Sequence, residues 1–196
     1  MTLSKLERGI MTMNPNNKIN TYKITDNMCI TDDLMMTTQK TNQTRKLTRC
    51  NMILKKGITG FYDSKESPVP EIDFKEFKTL CHTIDNCTVW QLINISKNPY
   101  CNYYSAEFNT ELGTIYILLN KYYPIIGFTE EIRVGNILFK DINDINYLLV
   151  GYEIMSAEIL NGSLDNVENE LSKTELQQVE YHNPNQVGNV VFNCWD

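Results

Sequence analysis

The chain has 196 residues, 42% hydrophobic and 10% aromatic, with a formal net charge of −6. That is enough apolar material for one packed domain, and it argues against wholesale disorder. No run approaches the roughly 18 consecutive apolar residues of a membrane-spanning helix, so no membrane segment is expected. The charge is divided unevenly. Residues 1–100 carry 14 Lys+Arg against 10 Asp+Glu, whereas residues 101–196 carry 4 against 14. An acidic, aromatic-rich half suits a basic protein partner, because complementary potential speeds encounter and rejects wrong partners.

Residues 1–51 read as a polar, basic, partly flexible extension, rich in Asn, Thr, Met and Lys and with little apolar periodicity. A basic arm raises the possibility of nucleic-acid binding, but Tyr22 is its only aromatic residue and no nucleic-acid motif is present, so that role is disfavoured. Met52 is a possible alternative start. With no apolar stretch behind the first charged residues, no signal peptide is read and a cytoplasmic chain is expected. On that reading the sequons at Asn42, Asn86, Asn94 and Asn161 are chance matches.

A single α+β domain is expected over residues 52–196. Ile53–Phe61 reads as a short strand broken by Gly57 and Gly60. The next segment places Phe74, Phe77, Leu80, Cys81 and Ile84 on one face of a helix over residues 73–84, with Asp73 as N-cap and Glu76 completing a capping box. Six strand candidates follow: Thr88–Ile95, Tyr103–Phe108, Thr114–Asn120, Ile125–Glu130, Asn136–Phe139 and Tyr147–Ile154. The short breaks between them imply an antiparallel meander of about 5–6 strands. Residues 108–113 read as a hairpin turn, and residues 163–168 as a short helix. Asn183 as cap, Pro184 in the first turn, and Val187, Val190, Val191, Cys194 and Trp195 at helical spacing predict a C-terminal helix that packs on the sheet together with the 73–84 helix.

Six cysteines are present: Cys29, Cys50, Cys81, Cys87, Cys101 and Cys194. In a cytosolic chain they are expected to be reduced, mostly buried residues. Cys81-His82 with Cys87 lacks the ligand number for a zinc site, so neither a metal nor a cofactor is expected. Nucleophile-elbow, phosphate-loop, dinucleotide and zinc-protease motifs are all missing. His82 beside Cys81 does not make a nucleophile–base pair, since adjacent helical residues point about 100° apart. No catalytic residue is assigned, and an enzyme is the less favoured reading. The candidate partner-binding residues are Tyr104, Glu107, Glu111, Tyr122, Tyr123, Glu130 and Glu131, which combine aromatic anchors with carboxylates.

Three patches carry a resemblance: Lys56-Gly-Ile-Thr-Gly-Phe-Tyr62, Tyr122-Tyr-Pro-Ile-Ile-Gly-Phe128, and the segment from Pro184 through Val187-Gly188, Val190 and Phe192-Asn193 to Trp195-Asp196. Together they resemble small, uncharacterised cytosolic bacterial proteins encoded beside polymorphic toxins, many of which serve as immunity proteins. The resemblance covers roughly residues 52–196. It implies neutralisation of a toxin, perhaps a nuclease, by stoichiometric binding, and it transfers no binding residues. A small enzyme or ligand-binding domain with an unrecognised site is the alternative reading.

Overall fold

The computed structural model describes residues 52–195, apart from Ser64, Glu66 and Val134. The basic extension read over residues 1–51, with Cys29 and Cys50, lies outside the described residues. At the centre is a mostly antiparallel sheet with helices on both sides. It runs in the order β2 (Gln91–Lys97), β3 (Tyr103–Thr110), β4 (Gly113–Asn120), β5 (Ile125–Thr129) and β6 (Phe139–Lys140). A sixth strand, β7 (Glu153–Ile154), pairs with β5 in parallel at Ile125 and Ile126. The α+β class and the meander through β5 are therefore as the sequence pattern predicts. The 147–154 segment is not one strand. A 3-10 turn at Asn146–Leu148 precedes the two residues of β7.

Alternation along β3 and β4 explains why the sheet has two cores. Tyr104, Ala106, Phe108, Ile115, Ile117 and Leu119 point to one face, where helix α1 (Phe74–Cys87) covers them with Phe77, Leu80, Cys81 and Ile84. Each of the larger side chains buried there contributes about 1.5–3 kcal/mol. Asp73 caps α1 by accepting from the Lys75 N–H at 2.9 Å. On the other face Tyr103, Leu118 and Ile125 pack against Met155, Leu160, Val187, Val190, Val191 and Phe192.

The chain's outer segments depart from the sequence reading. Only Ile53–Leu54 (β1) of the expected first strand is extended, and it pairs in parallel with β8 (Glu168–Asn169). The short helix α2 (Ala157–Leu160) and a 3-10 turn at Leu164–Asn166 connect β7 to β8. Helix α3 (Lys173–His182) was not anticipated. It opens with a full capping box in which Ser172 and Glu175 bond each other's backbone. Asn183 is the C-cap of that helix, at φ 46°, and not the start of the next. The expected C-terminal helix is the single turn α4 (Gly188–Val191), after which the chain runs extended. Glycine at 188 is there for closeness: a Cβ would sit 2.2 Å from the Phe139 ring.

Two polar features tie these segments down. The Glu175 carboxylate is fully buried, and it accepts from the Gly57 N–H at 2.9 Å, from the Thr59 N–H at 3.3 Å and hydroxyl at 2.7 Å, and from Ser172. A buried charge of this kind is tolerable only because its lone pairs are bonded. The second feature is a junction of three buried amides. Asn102 and Asn120 both donate to the carbonyls of Ile58 and Val191, at 2.6–3.0 Å. Asn193 donates to Thr59 O and Val190 O, and its N–H bonds Asn102 Oδ1 at 2.7 Å. Asn120 Oδ1 in turn accepts from the Tyr122 and Tyr123 N–H groups. Three segments far apart in sequence, residues 58–61, 120–123 and 190–195, meet at this junction. Gly60 packs so closely on the Tyr122 ring that a Cβ would lie 2.8 Å away, and Phe61 contacts Trp195 with ring centroids 6.4 Å apart.

The expectation of reduced cysteines is corrected at one pair. Cys101 and Cys194 form a disulfide beside the amide junction, because the Asn102–Asn193 contact brings their Cα atoms to 4.0 Å. Cys81 is free and buried, with its thiol pushed up to about 12 by burial, and Cys87 is free and exposed.

Loss of a junction amide is expected to be expensive. Asn120→Ala orphans two buried N–H donors and is predicted to cost roughly 2–4 kcal/mol, whereas Asn169→Ala on exposed β8 should change stability by less than about 0.5 kcal/mol. Urea unfolding midpoints at constant m-value measure both.

Candidate partner-binding face

The two ends of the sheet differ. At the end where β3 begins and β4 finishes, both faces are sealed, one by α1 and the other by the amide junction and α4. At the β3–β4 hairpin end the α1 face is covered, while the other face is covered only on its β5 side, where Tyr116 packs against the second core and Thr129 is buried. Positions that alternate with the core residues of β3, namely Ser105, Glu107 and Asn109, keep solvent access while Tyr104, Ala106 and Phe108 between them are buried. Cross-strand pairing extends this exposed strip. Asn94 of β2 lies opposite Glu107 and Glu107 opposite Tyr116 of β4, where the strip ends, because Thr129 of β5, opposite Tyr116, is buried. One row inward, Ser96 faces Ser105. The result is a flat platform of short polar side chains with a carboxylate and a phenol at its centre.

Acidic groups collect around this platform. Glu111 is exposed in the hairpin turn next to Leu112, which is 66% exposed, and Ile93 at the irregular start of β2 is 54% exposed. Glu131 follows β5 and pairs with Arg133 at 2.8 Å. Burial first, and then the Glu107 and Glu131 carboxylates, hold the Tyr116 phenol above its ordinary range. Among the described residues no lysine or arginine forms an ion pair with Glu107.

The seven residues singled out from the sequence are thus divided by the fold. Glu107, Glu111 and Glu131 share the hairpin end. Glu130 is at the same end but is engaged by Lys140, with which it walls a cleft of about 300 Å³. Tyr104 is not a surface anchor. It is completely buried between Phe74 and Phe77, ring centroids 4.9 and 5.8 Å away, and its hydroxyl donates to Ile72 O at 2.9 Å. The reason is the two-residue period of a strand: Tyr104 and Glu107 are an odd number of residues apart and must face opposite sides. Tyr122 and Tyr123 lie at the sealed end and are half-buried. Tyr122 packs edge-on against Tyr62, and the Tyr123 hydroxyl donates to Lys56 O at 2.6 Å. Tyr116, Ser105 and Asn94, which the sequence reading did not name, share this strip with Glu107, and alternation from Glu107 is the signal that points to them.

A second concavity, of about 190 Å³, lies at the sealed end between Phe61, Tyr122 and Trp195, above Lys121. Lys121 is almost fully buried, and burial lowers its pKa. Its ammonium donates to Asn98 O at 2.9 Å and to Cys101 O, so it holds the β2–β3 connection in place. Among the described residues no group of three or more His, Cys, Asp or Glu is placed to hold a metal ion. No protein-family model, curated protein or solved structure matches the chain.

Glu107→Gln is predicted to lower the Tyr116 pKa relative to the parent protein, though not below the ordinary phenol value, because burial remains the larger cause. Carbon-13 NMR titration of the tyrosine ring measures this. Folding stability should change by no more than about 1 kcal/mol.

Proposed function

We propose that the chain is a protein-binding inhibitor, an immunity protein that neutralises a basic toxin, perhaps a nuclease, by stoichiometric binding through the hairpin end of its sheet. The observation that carries this reading is the open strip Asn94–Glu107–Tyr116 with Glu111 and Glu131 around it: one sheet face, sealed elsewhere, left polar and acidic. An aromatic ring between carboxylates is a suitable anchor at an interface centre, and Leu112 and Ile93 add apolar contact at the margin. The folded region supplies the matching long-range field. Residues 52–196 hold 10 Lys+Arg against 20 Asp+Glu, a formal charge of −10. A specific complex on this face would bury about 1,600 Å² in total. The cytoplasm is the compartment proposed for this activity. The enzyme or ligand-binding alternative has the Lys121 cleft in its favour, but the lysine there is already bonded to two carbonyls.

The experiment is affinity capture from native lysate, followed by stopped-flow association with the captured protein and an assay of that protein's own activity. The expected result is a basic enzyme, inactive while bound, whose association slows strongly between low and about 0.5 M salt, because exposed charges are screened over a few ångströms at that ionic strength. Glu107→Lys and Glu111→Lys should each slow association about tenfold with unfolding midpoints near the parent value. Glu130→Lys should do less, since Lys140 already occupies that carboxylate. Association indifferent to salt and to both reversals would contradict this assignment.

A further inference from the structure

The Cys101–Cys194 disulfide closes 93 residues of chain beside a junction that has hydrogen bonds of its own. One residue inboard on each side, the Asn102 N–H donates to Asn193 O at 2.9 Å and the Asn193 N–H donates to Asn102 Oδ1 at 2.7 Å. Asn193 is fixed further by its bonds to Thr59 O and Val190 O. What the covalent bond adds is restraint on the segment that follows Asn193. Trp195 is held otherwise by a long 3.4 Å bond from its N–H to Asn193 Oδ1, by stacking on His182 at 5.0 Å and by its contact with Phe61.

The two cysteines differ in exposure. Cys101 is 5% exposed. Cys194 is half-buried, in the wall of a cleft of about 180 Å³ that Tyr103, Ile137, His182, Phe192 and Trp195 also line, and its sulfur accepts from the Tyr103 hydroxyl at 3.4 Å. The cleft above Lys121 lies on the far side of the bond, with Cys101 in its wall, and Asn193 and Trp195 line both concavities. Trp195 is thus a partition between two clefts, and the disulfide fixes the partition.

We propose that Cys194 is a site of thiol–disulfide exchange with a dithiol reductant, and that the bond is a redox latch on Trp195. In the exchange, one thiolate of the reductant attacks Cys194 Sγ. The S–S bond breaks, and Cys101 leaves as a thiolate and takes a proton. The second thiol of the reductant then attacks the mixed disulfide and releases Cys194 as a thiol. The chain gains two electrons and two protons, and the reductant departs as its own disulfide. In a reducing compartment the latch opens and in an oxidising one it closes, while the sheet and the amide junction keep their register in both states. This inference stands apart from the partner reading, since none of the hairpin-end residues takes part.

The test uses the full chain with dithiothreitol as reductant and the Trp195→Phe variant as the reference for the Trp90 signal. On reduction, Trp195 emission should move to longer wavelength and its quenching by acrylamide should rise severalfold. Far-ultraviolet circular dichroism and the slow amide exchange of β3 and β4 should persist, and oxidised glutathione should reverse the change. Peptide mapping after alkylation should show Cys101 and Cys194 joined before reduction and free after it. The Cys101→Ser/Cys194→Ser variant should show the open signature with or without dithiothreitol, and if that variant fails to fold, the reversible titration of the parent chain decides the matter. Unfolding of the sheet on reduction would make the bond a structural staple and overturn the latch. Unchanged Trp195 emission, or free thiols at both positions in air-oxidised protein, would overturn it as well.

Discussion

Three buried amide side chains determine how this chain closes. Asn102 just before β3, Asn120 at the end of β4 and Asn193 after α4 donate to the Ile58–Thr59 and Val190–Val191 carbonyls, and Asn102 Oδ1 accepts from the Asn193 N–H. An amide offers two donors and an acceptor with two lone pairs, so three of them can satisfy the irregular backbone where a loop, two strand ends and an extended segment converge. Apolar side chains there would leave those carbonyls and N–H groups buried without partners, at about 1–3 kcal/mol each. The Glu175 carboxylate does the same for the Gly57–Thr59 loop from the other side.

The rest of the architecture depends on that closure. With the junction formed, Val187, Val190, Val191 and Phe192 are brought onto the second face of the sheet and complete a core that strand alternation alone could not fill. The same closure uses up one end of the sheet, including Tyr122, Tyr123 and Lys121. The hairpin end is left with its second face covered only on the β5 side, and there the alternating positions of β3 and β4 are free to be polar. On the proposed reading, stability and recognition fall at opposite ends of the same strands, so that carboxylates at the hairpin can vary without disturbing the junction.

Much of the frame was legible in the sequence because it follows simple periods. The α1 face at Phe77, Leu80, Cys81 and Ile84 and the β3–β4 hairpin both appear where apolar spacing places them. Helix α3 was missed because its few apolar residues, Leu176, Val179 and Tyr181, make no clear stripe, although Ser172 and Glu175 form the S-x-x-E pattern that marks a helix start. The three structural asparagines were hidden in an Asn-rich chain, where nothing local distinguishes a buried amide from a solvated one. The disulfide was equally hidden, since its partners lie 93 residues apart and meet only through the amide junction. Of the candidate contact residues, Glu107, Glu111 and Glu131 were chosen by charge alone, and they lie together at the hairpin end. Tyr104 failed because charge and aromatic content were read without the side of the strand.

The functional proposal depends on this division between a sealed end and an open one. The most direct measurement is hydrogen–deuterium exchange of the chain free and in complex with its captured partner. Binding through the open face predicts new protection along residues 91–97, 105–109 and 113–116, with none added at residues 57–62, 120–123 or 190–195. Protection confined to the amide junction and the Trp195 clefts would contradict it.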